Sequence, residues 1–260
     1  ARELDVIGLM NIQYAVRDHD IFLLEVNPRA SRTIPFVSKA IGVPLAKLAA
    51  RVMAGKKLKE LGLTEDPLPN YTSAKEVVLP FIKFPGVDIL LGPEMRSTGE
   101  VMGINHSMGL AFAKSQIAAG NSVPLKGTVF LSLNNRDKQN IGTLGAELAE
   151  LGFKIMATQG TAALLRTQGI EVQEVYKVGE GRPHIVDRMI NGEVNWIINT
   201  PLGGISKADE RAIRRTAIER GLPIMTTLAA ARAGIQAIRA LGRGGMEIRT
   251  LQELHAGLRK

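Results

Sequence analysis

From Thr128 to Gly242 the sequence alternates short apolar runs with longer segments of helical spacing, and this rhythm limits the fold more than any other feature of the chain. TVFLSL (128–133), KIMAT (154–158), EVQEVYKV (171–178), VNWIINT (194–200) and PIMTT (223–227) read as strands. Between and after them, 138–152, 161–169, 184–192, 208–221 and 228–242 carry apolar residues at helical intervals, several ending at glycine. Strand–helix alternation of this kind gives an α/β fold whose parallel sheet is covered on both faces. Ligands of such sheets sit outside the carboxyl ends of the strands. The residues expected there are Ser132 and Lys138, Thr158 and Thr161 around Gly160, Lys177 before a glycine-rich loop, and Asn199 with Thr200. Hydroxyls, a glycine and a helix N-terminus make an anion cradle, although Thr158 also suits an ordinary helix N-cap.

The first seventy residues follow another plan. LMNIQYAV (9–16) and IFLLEV (21–26) read as two strands joined by Asp18, His19 and Asp20. That loop pairs Arg17 with Ile21, Gln13 with Glu25 and Asn11 with Asn27. One face then carries Ile12, Tyr14, Val16, Phe22, Leu24 and Val26, and the other Asn11, Gln13, Glu25 and Asn27. A solvated polar face is the plain explanation. Such faces usually carry Lys, Glu and Thr, whereas this one offers one carboxylate and three carboxamides. Hard Mg²⁺ takes oxygen ligands, commonly one or two carboxylates plus substrate phosphates. Arg29 and Arg32, just beyond, suit phosphate or carboxylate. The sharper expectation is a Mg–nucleotide site with Glu25 and Asn27 on the metal and Arg29 on a phosphoryl group or anionic substrate. A two-stranded hairpin is not stable alone, so its apolar face is expected to need partners upstream.

Between these parts, 43–54 reads as a helix ending at Gly55, and 56–71 as a surface loop. Residues 73–84 read as a strand, 85–104 as loop and turn, and 106–120 as a helix. NSVPLKG (121–127) reads as a linker, and from Arg243 a short basic tail is expected.

Composition excludes several classes. There is no cysteine, hence no disulfide, thiol nucleophile or thiolate metal site, and only 4 histidines. The net charge of +8 accompanies only 4% aromatic residues and no long basic run, so small phosphorylated ligands explain it better than nucleic acid. Nothing reads as a signal peptide or membrane span. The expectation is a soluble, cytoplasmic protein.

LMNIQYAV, LLEVNPRASRT, PFVSKAIGVPLAKLAARVMAGK and KEVVLPFIKFPGVD with LGPEMRSTGEVMG closely resemble the large chain of carbamoyl-phosphate synthase. The resemblance runs along the whole sequence. It implies a partial ATP-grasp lobe (1–72), a connecting segment (73–122) and a Rossmann-like, methylglyoxal-synthase-like allosteric domain (123–260). It implies that Gln13, Glu25 and Asn27 hold Mg²⁺ or Mn²⁺ and ATP, with Arg29 as the catalytic arginine. Ser132, Lys138, Thr158, Thr161, Lys177 and Asn199 would bind an effector nucleotide, UMP and in some members IMP. Bicarbonate, glutamine-derived ammonia from a small glutaminase subunit, carbamate and ATP are the implied substrates and partners, in arginine and pyrimidine biosynthesis. The glycine-rich lid and adenine-binding half are missing, which implies an inactive fragment. Pro201 replaces a frequent threonine, and Ile224 a tyrosine of ornithine-responsive members, while Glu76 and Thr226 are kept. A methylglyoxal synthase would need a carboxylate base where Pro183 stands, with Glu180 and Asp187 flanking it. A nucleotide-binding module without chemistry is the remaining alternative.

Overall fold

The computed structural model describes residues 1–79, 99–200 and 208–257. Contacts divide the chain into two compact units. Unit 1 comprises Ala1–Asn70 together with Glu247–Lys260, and unit 2 comprises Tyr71–Met246. Unit 2 is therefore an insertion between two stretches of unit 1.

In unit 2, β5 (Thr128–Ser132), β6 (Lys154–Thr158), β7 (Gln173–Val175), β8 (Trp196–Asn199) and β9 (Ile224–Met225) form one sheet in the order β7-β6-β5-β8-β9. Every pairing in it is parallel. Alternation of side chains along the strands builds two cores. Val129, Leu131, Ile155, Ala157, Trp196 and Ile198 fill one face, with α4 (Ile141–Glu150), α5 (Gln159–Thr167) and α8 (Leu228–Arg243) supplying the cover. Phe130, Met156 and Ile197 fill the other with α6 (Ile185–Ile190) and α7 (Ala208–Glu219). This is the doubly covered parallel sheet that the sequence alternation implies. The strands are shorter than the apolar runs, most of all β7, which takes only three of the eight residues 171–178, with Tyr176 adding a single bridge to His184.

Residues 85–104, read from the sequence as loop and turn, contain a strand at their end. β4 (Glu100–Asn105) pairs antiparallel with β3 (Thr72–Val77), and α3 (Met108–Ala118) lies over them. Gly103 misleads because its role is close approach. A Cβ there would stand 2.0 Å from the Ala111 carbonyl oxygen of α3. Gly109 does the same between α3 and α8, where a Cβ would meet the Gln236 carbonyl oxygen at 2.5 Å. The expected strand 73–84 runs in part outside the described residues, as does most of the expected loop.

Unit 1 opens with the antiparallel hairpin β1 (Asn11–Arg17) and β2 (Asp20–Asn27). The turn holds two residues rather than three. Asp18 adopts a left-handed conformation (φ 55°), and Arg17 pairs with Asp20. The register shifts by one between Gln13 and Tyr14, so Gln13 still faces Glu25 and Asn11 faces Asn27. Tyr14 therefore pairs with Leu23 and Val16 with Ile21, in place of the expected Leu24 and Phe22 neighbours. The bulge lets the turn tighten without moving the polar end. Phe22 instead shares a face with Arg17, whose guanidinium lies 5.7 Å from the ring centroid. Helices α1 (Thr33–Ile41) and α2 (Leu45–Met53) follow, bent by 110° at left-handed Gly42 and Pro44. The tail forms a further short helix, α9 (Leu251–Ala256), which the basic composition conceals. Among the described residues, no single helix is long and apolar enough to cross a membrane.

Candidate nucleotide and metal sites

The sheet of unit 2 reverses its winding between β5 and β8. From β5 the chain moves outward through β6 to β7, then crosses back to β8 and on to β9. Ser132 and Asn199 are register partners at the carboxyl ends of these two strands. A cavity of about 420 Å³ opens there, within the usual range for small-ligand pockets. It is lined by Ser132, Lys138, Thr158, Lys177 and Asn199, five of the six residues expected for a nucleotide. Thr161 is buried in the first turn of α5 and is not part of the lining.

Thr158 occupies the N-cap of α5, but its side chain makes no capping hydrogen bond. The ordinary reading of this threonine therefore fails, and Thr158 leaves the first-turn amides of a nine-residue helix without a side-chain cap. Gly160 leaves that helix end bare. The Lys138 ammonium sits 3.4 Å from where a Cβ on Gly160 would lie, and it donates to Asn135 Oδ1 at 2.9 Å. A cation beside open helical amides is a phosphate-binding arrangement in both charge and geometry. Lys177 contributes less free charge, since Glu180 lies 3.6 Å from its Nζ and also accepts from its backbone N–H at 3.0 Å.

Sequence reasoning missed Asn134, which ties this end of the sheet together. Its backbone N–H and Nδ2 donate to Thr200 Oγ1 at 3.0 and 3.1 Å, and Nδ2 also donates to Asp137 Oδ2 at 2.7 Å. Its Oδ1 accepts from the N–H groups of Arg136 and Asp137 at 2.9 and 3.0 Å. The loop bearing Lys138 is thereby bonded to the end of β8. The signal in sequence was the Asn-x-x-Asp spacing of 134–137, a turn former that pattern reading treats as connective. Glu210, ion-paired with Arg214 at 3.7 Å, and Ile213 add a carboxylate and an apolar wall from α7. Pro201 lies outside the described residues.

The carboxylates beside Pro183 are engaged elsewhere. Asp187 accepts from the His184 backbone N–H at 2.9 Å, while its own N–H donates to His184 Nδ1 at 3.3 Å, the capping box of α6. Glu180 serves Lys177. Neither stands as an unengaged general base, which argues against methylglyoxal synthase chemistry. Glu76 on β3 accepts from Gln116 Nε2 at 2.7 Å, and burial pushes its carboxyl pKa up.

In unit 1, Gln13, Glu25, Asn27 and Asn11 lie on one face of the hairpin, as expected. Asn27 Nδ2 donates to Glu25 Oε1 at 2.9 Å. The Arg29 N–H donates to the Asn27 carbonyl at 2.8 Å, and its guanidinium is exposed, with Nη1 on the Ala30 carbonyl at 3.2 Å. Among the described residues, no three His, Cys, Asp or Glu side chains gather as a metal cluster. The donor set is one carboxylate with carboxamides, which suits a hard cation that keeps phosphate oxygens and does not suit a closed protein cage.

Two family models match the chain. Residues 1–61 match the carbamoyl-phosphate synthase L chain ATP binding domain, and residues 140–226 the MGS-like domain. Carbamoyl phosphate synthase large chains are similar along almost its whole length. That of Synechocystis is 53% identical over 97% of this chain, that of Rhodopirellula baltica 52% over 98%, and that of Archaeoglobus fulgidus 51% over 98%. This chain is homologous to part of the carbamoyl phosphate synthase large chain. It spans about a quarter of the length of these relatives, 24% in each of the three. The polar hairpin lies within the segment that matches the ATP binding domain, and four of the five strands of the parallel sheet lie within the segment that matches the MGS-like domain. The crystal structure of ForH aligns with a TM-score of only 0.31 at 17% identity, over 51% of this chain and 90% of that one.

Proposed function

We propose that the chain acts as part of the large chain of a glutamine-hydrolysing carbamoyl phosphate synthase, an ATP-dependent ligase, in the cytoplasm. The kinship along the full chain carries this reading, and the donor chemistry of the hairpin agrees with it. Glu25, Asn27 and Gln13 hold Mg²⁺ or Mn²⁺ together with ATP. A cation held there would neutralise phosphate oxygens during phosphoryl transfer to carbamate. Arg29 places a planar, permanently charged fork where the anionic substrate sits. The remaining parts of the reaction, which use bicarbonate, a further ATP and ammonia from a small glutaminase subunit, lie beyond these residues. The isolated chain is expected to be inactive.

Unit 2 is the effector domain in this reading, and its cavity takes a nucleoside monophosphate such as UMP or IMP. The phosphate lies at the N-terminus of α5 beside Lys138, near Ser132, Thr158 and Asn199 at the winding reversal. Thr161 supports that turn from beneath, and Lys177 flanks it. Calorimetric titration of the chain with UMP and then IMP tests this. Saturable binding is expected, weakened roughly 10- to 100-fold in Lys138→Ala through loss of a charge-assisted hydrogen bond. Binding that stays within twofold in the variant, or a folded chain that binds neither nucleotide, would overturn the assignment.

A further inference from the structure

The C-terminal tail, although it follows the last helix of unit 2, packs with unit 1. Its helix α9 is held by a capping box. The Thr250 N–H donates to Glu253 Oε2 at 2.7 Å, and the Glu253 N–H donates to Thr250 Oγ1 at 3.2 Å. Leu251, Leu254 and His255 form its half-buried face, at helical spacing. From that face His255 Nε2 lies 2.7 Å from the carbonyl oxygen of Lys39, in the last turn of α1. A helix leaves its final carbonyls without helical partners, and histidine is among the side chains that supply a donor. Pro44 has no N–H to offer the same region. The imidazole also rests against Gly42, where a Cβ would stand 3.0 Å from its Cγ. Gly42 thus serves the left-handed end of α1 (φ 70°) and the seat of the ring together.

We propose that the tail is a clasp on unit 1, with His255 as a positioning residue for α1 and for the turn that α1 anchors. Arg32 is the N-cap of α1, and the Ile34 N–H donates to the Ser31 carbonyl at 3.2 Å. Arg29 is therefore four residues from a helix whose far end is gripped by the tail. Holding the C-terminal end of a short, stiff helix limits the freedom of the Pro28–Arg32 turn at the other. The consequence for ATP binding rests on the reading of Glu25, Asn27 and Arg29 given above, whereas the clasp itself does not.

Hydrogen exchange on the full 260-residue chain separates the two. His255→Ala is expected to speed exchange about three- to tenfold in residues 37–42, as loss of one hydrogen bond implies, and to raise it at residues 29–33 as well. His255→Gln keeps an amide donor and should restore at least half of the protection in both stretches. Exchange that rises only within α9, with α1 and the turn unchanged, would overturn the proposal. So would an equal loss in the Gln and Ala variants. If the Ala variant loses protection across the strands of unit 2 as well, the Gln variant decides: native protection in α1 supports the clasp, and its loss refutes it. UMP titration of the same variants reports on the effector reading independently.

Discussion

Asn134→Ala should separate the architecture of the effector cavity from its stability. Among the described residues, the substitution removes four side-chain hydrogen bonds: two from Nδ2, to Asp137 Oδ2 and Thr200 Oγ1, and two into Oδ1, from the N–H groups of Arg136 and Asp137. The backbone bond from the Asn134 N–H to Thr200 Oγ1 survives. At a typical net value of 0.5–1.5 kcal/mol each, the upper limit is about 6 kcal/mol. The residue is only half-buried, however, and water re-solvates the two N–H groups at the loop surface. The expected loss of unfolding free energy is then about 2 kcal/mol, read from the urea midpoint at constant slope. Nucleotide affinity should fall about tenfold, because the Lys138 loop then keeps, of these bonds, only the backbone one from the Asn134 N–H to Thr200 at the end of β8. Asn134→Asp sharpens the test. It retains the acceptor for the two N–H groups but turns the 2.7 Å contact with Asp137 into a carboxylate pair. One member of such a pair holds its proton to higher pH, so the variant should be closest to native in acid and lose stability as pH rises. UMP affinity within twofold of native in Asn134→Ala, measured where the protein is fully folded, would refute the idea that this network positions the site.

Glu25→Gln in a full-length large chain should abolish ATP-dependent phosphorylation of carbamate while sparing bicarbonate-dependent ATP hydrolysis; equal loss of the two partial reactions would remove Glu25 from the metal site. Glu76 has its carboxyl pKa raised chiefly by burial, so its stabilising contribution is complete below the unfolded value and is lost as pH rises through the folded one. Glu76→Gln should therefore flatten the decline of stability with pH above the ordinary carboxylate range, as followed by thermal melts across about pH 4–8, from the usual glutamate pKa upward. Gly109→Ala should cost roughly 1–3 kcal/mol in urea unfolding, because its Cβ would lie 2.5 Å from the Gln236 carbonyl oxygen and α3 must move off α8.

Where one periodicity governs, the sequence was readable. The parallel sheet follows from apolar runs set between helical segments, and the ends of its strands carry the hydroxyls and lysines that line the cavity. The polar end of the hairpin was equally legible: Gln13 faces Glu25 in both the expected and the observed register, because the bulge after Gln13 offsets the shorter turn. What failed was local chemistry that periodicity does not encode. The two-residue turn depends on Asp18 accepting a left-handed backbone, and the bulge that compensates it is silent in the pattern. Gly103 looks like a turn glycine and is a strand residue under a helix. Asn134 looks like loop filler and is a hub, since a side chain that bonds Thr200, 66 residues away, is visible only in three dimensions.

The two sites differ in how much of a ligand's chemistry each can satisfy. At the cavity of unit 2, a lysine, the N-terminus of α5 and the ends of several strands converge on one opening, so a phosphate placed there would find charge and hydrogen-bond donors together. At the hairpin, one carboxylate and its carboxamide neighbours lie on an open strand pair beside an apolar side that leaves Tyr14, Val16, Ile21 and Leu23 more than half exposed. Mg²⁺ surrenders water reluctantly and binds through few carboxylates only when phosphate oxygens complete its shell. In the proposed role, a hairpin so equipped would not capture the free ion but would orient one that arrives on a nucleotide. Orientation demands a fixed backbone between Asn27 and Arg29. In this chain the N–H of Arg29 is bonded to the carbonyl of Asn27, and the helix that follows is gripped at its far end by His255.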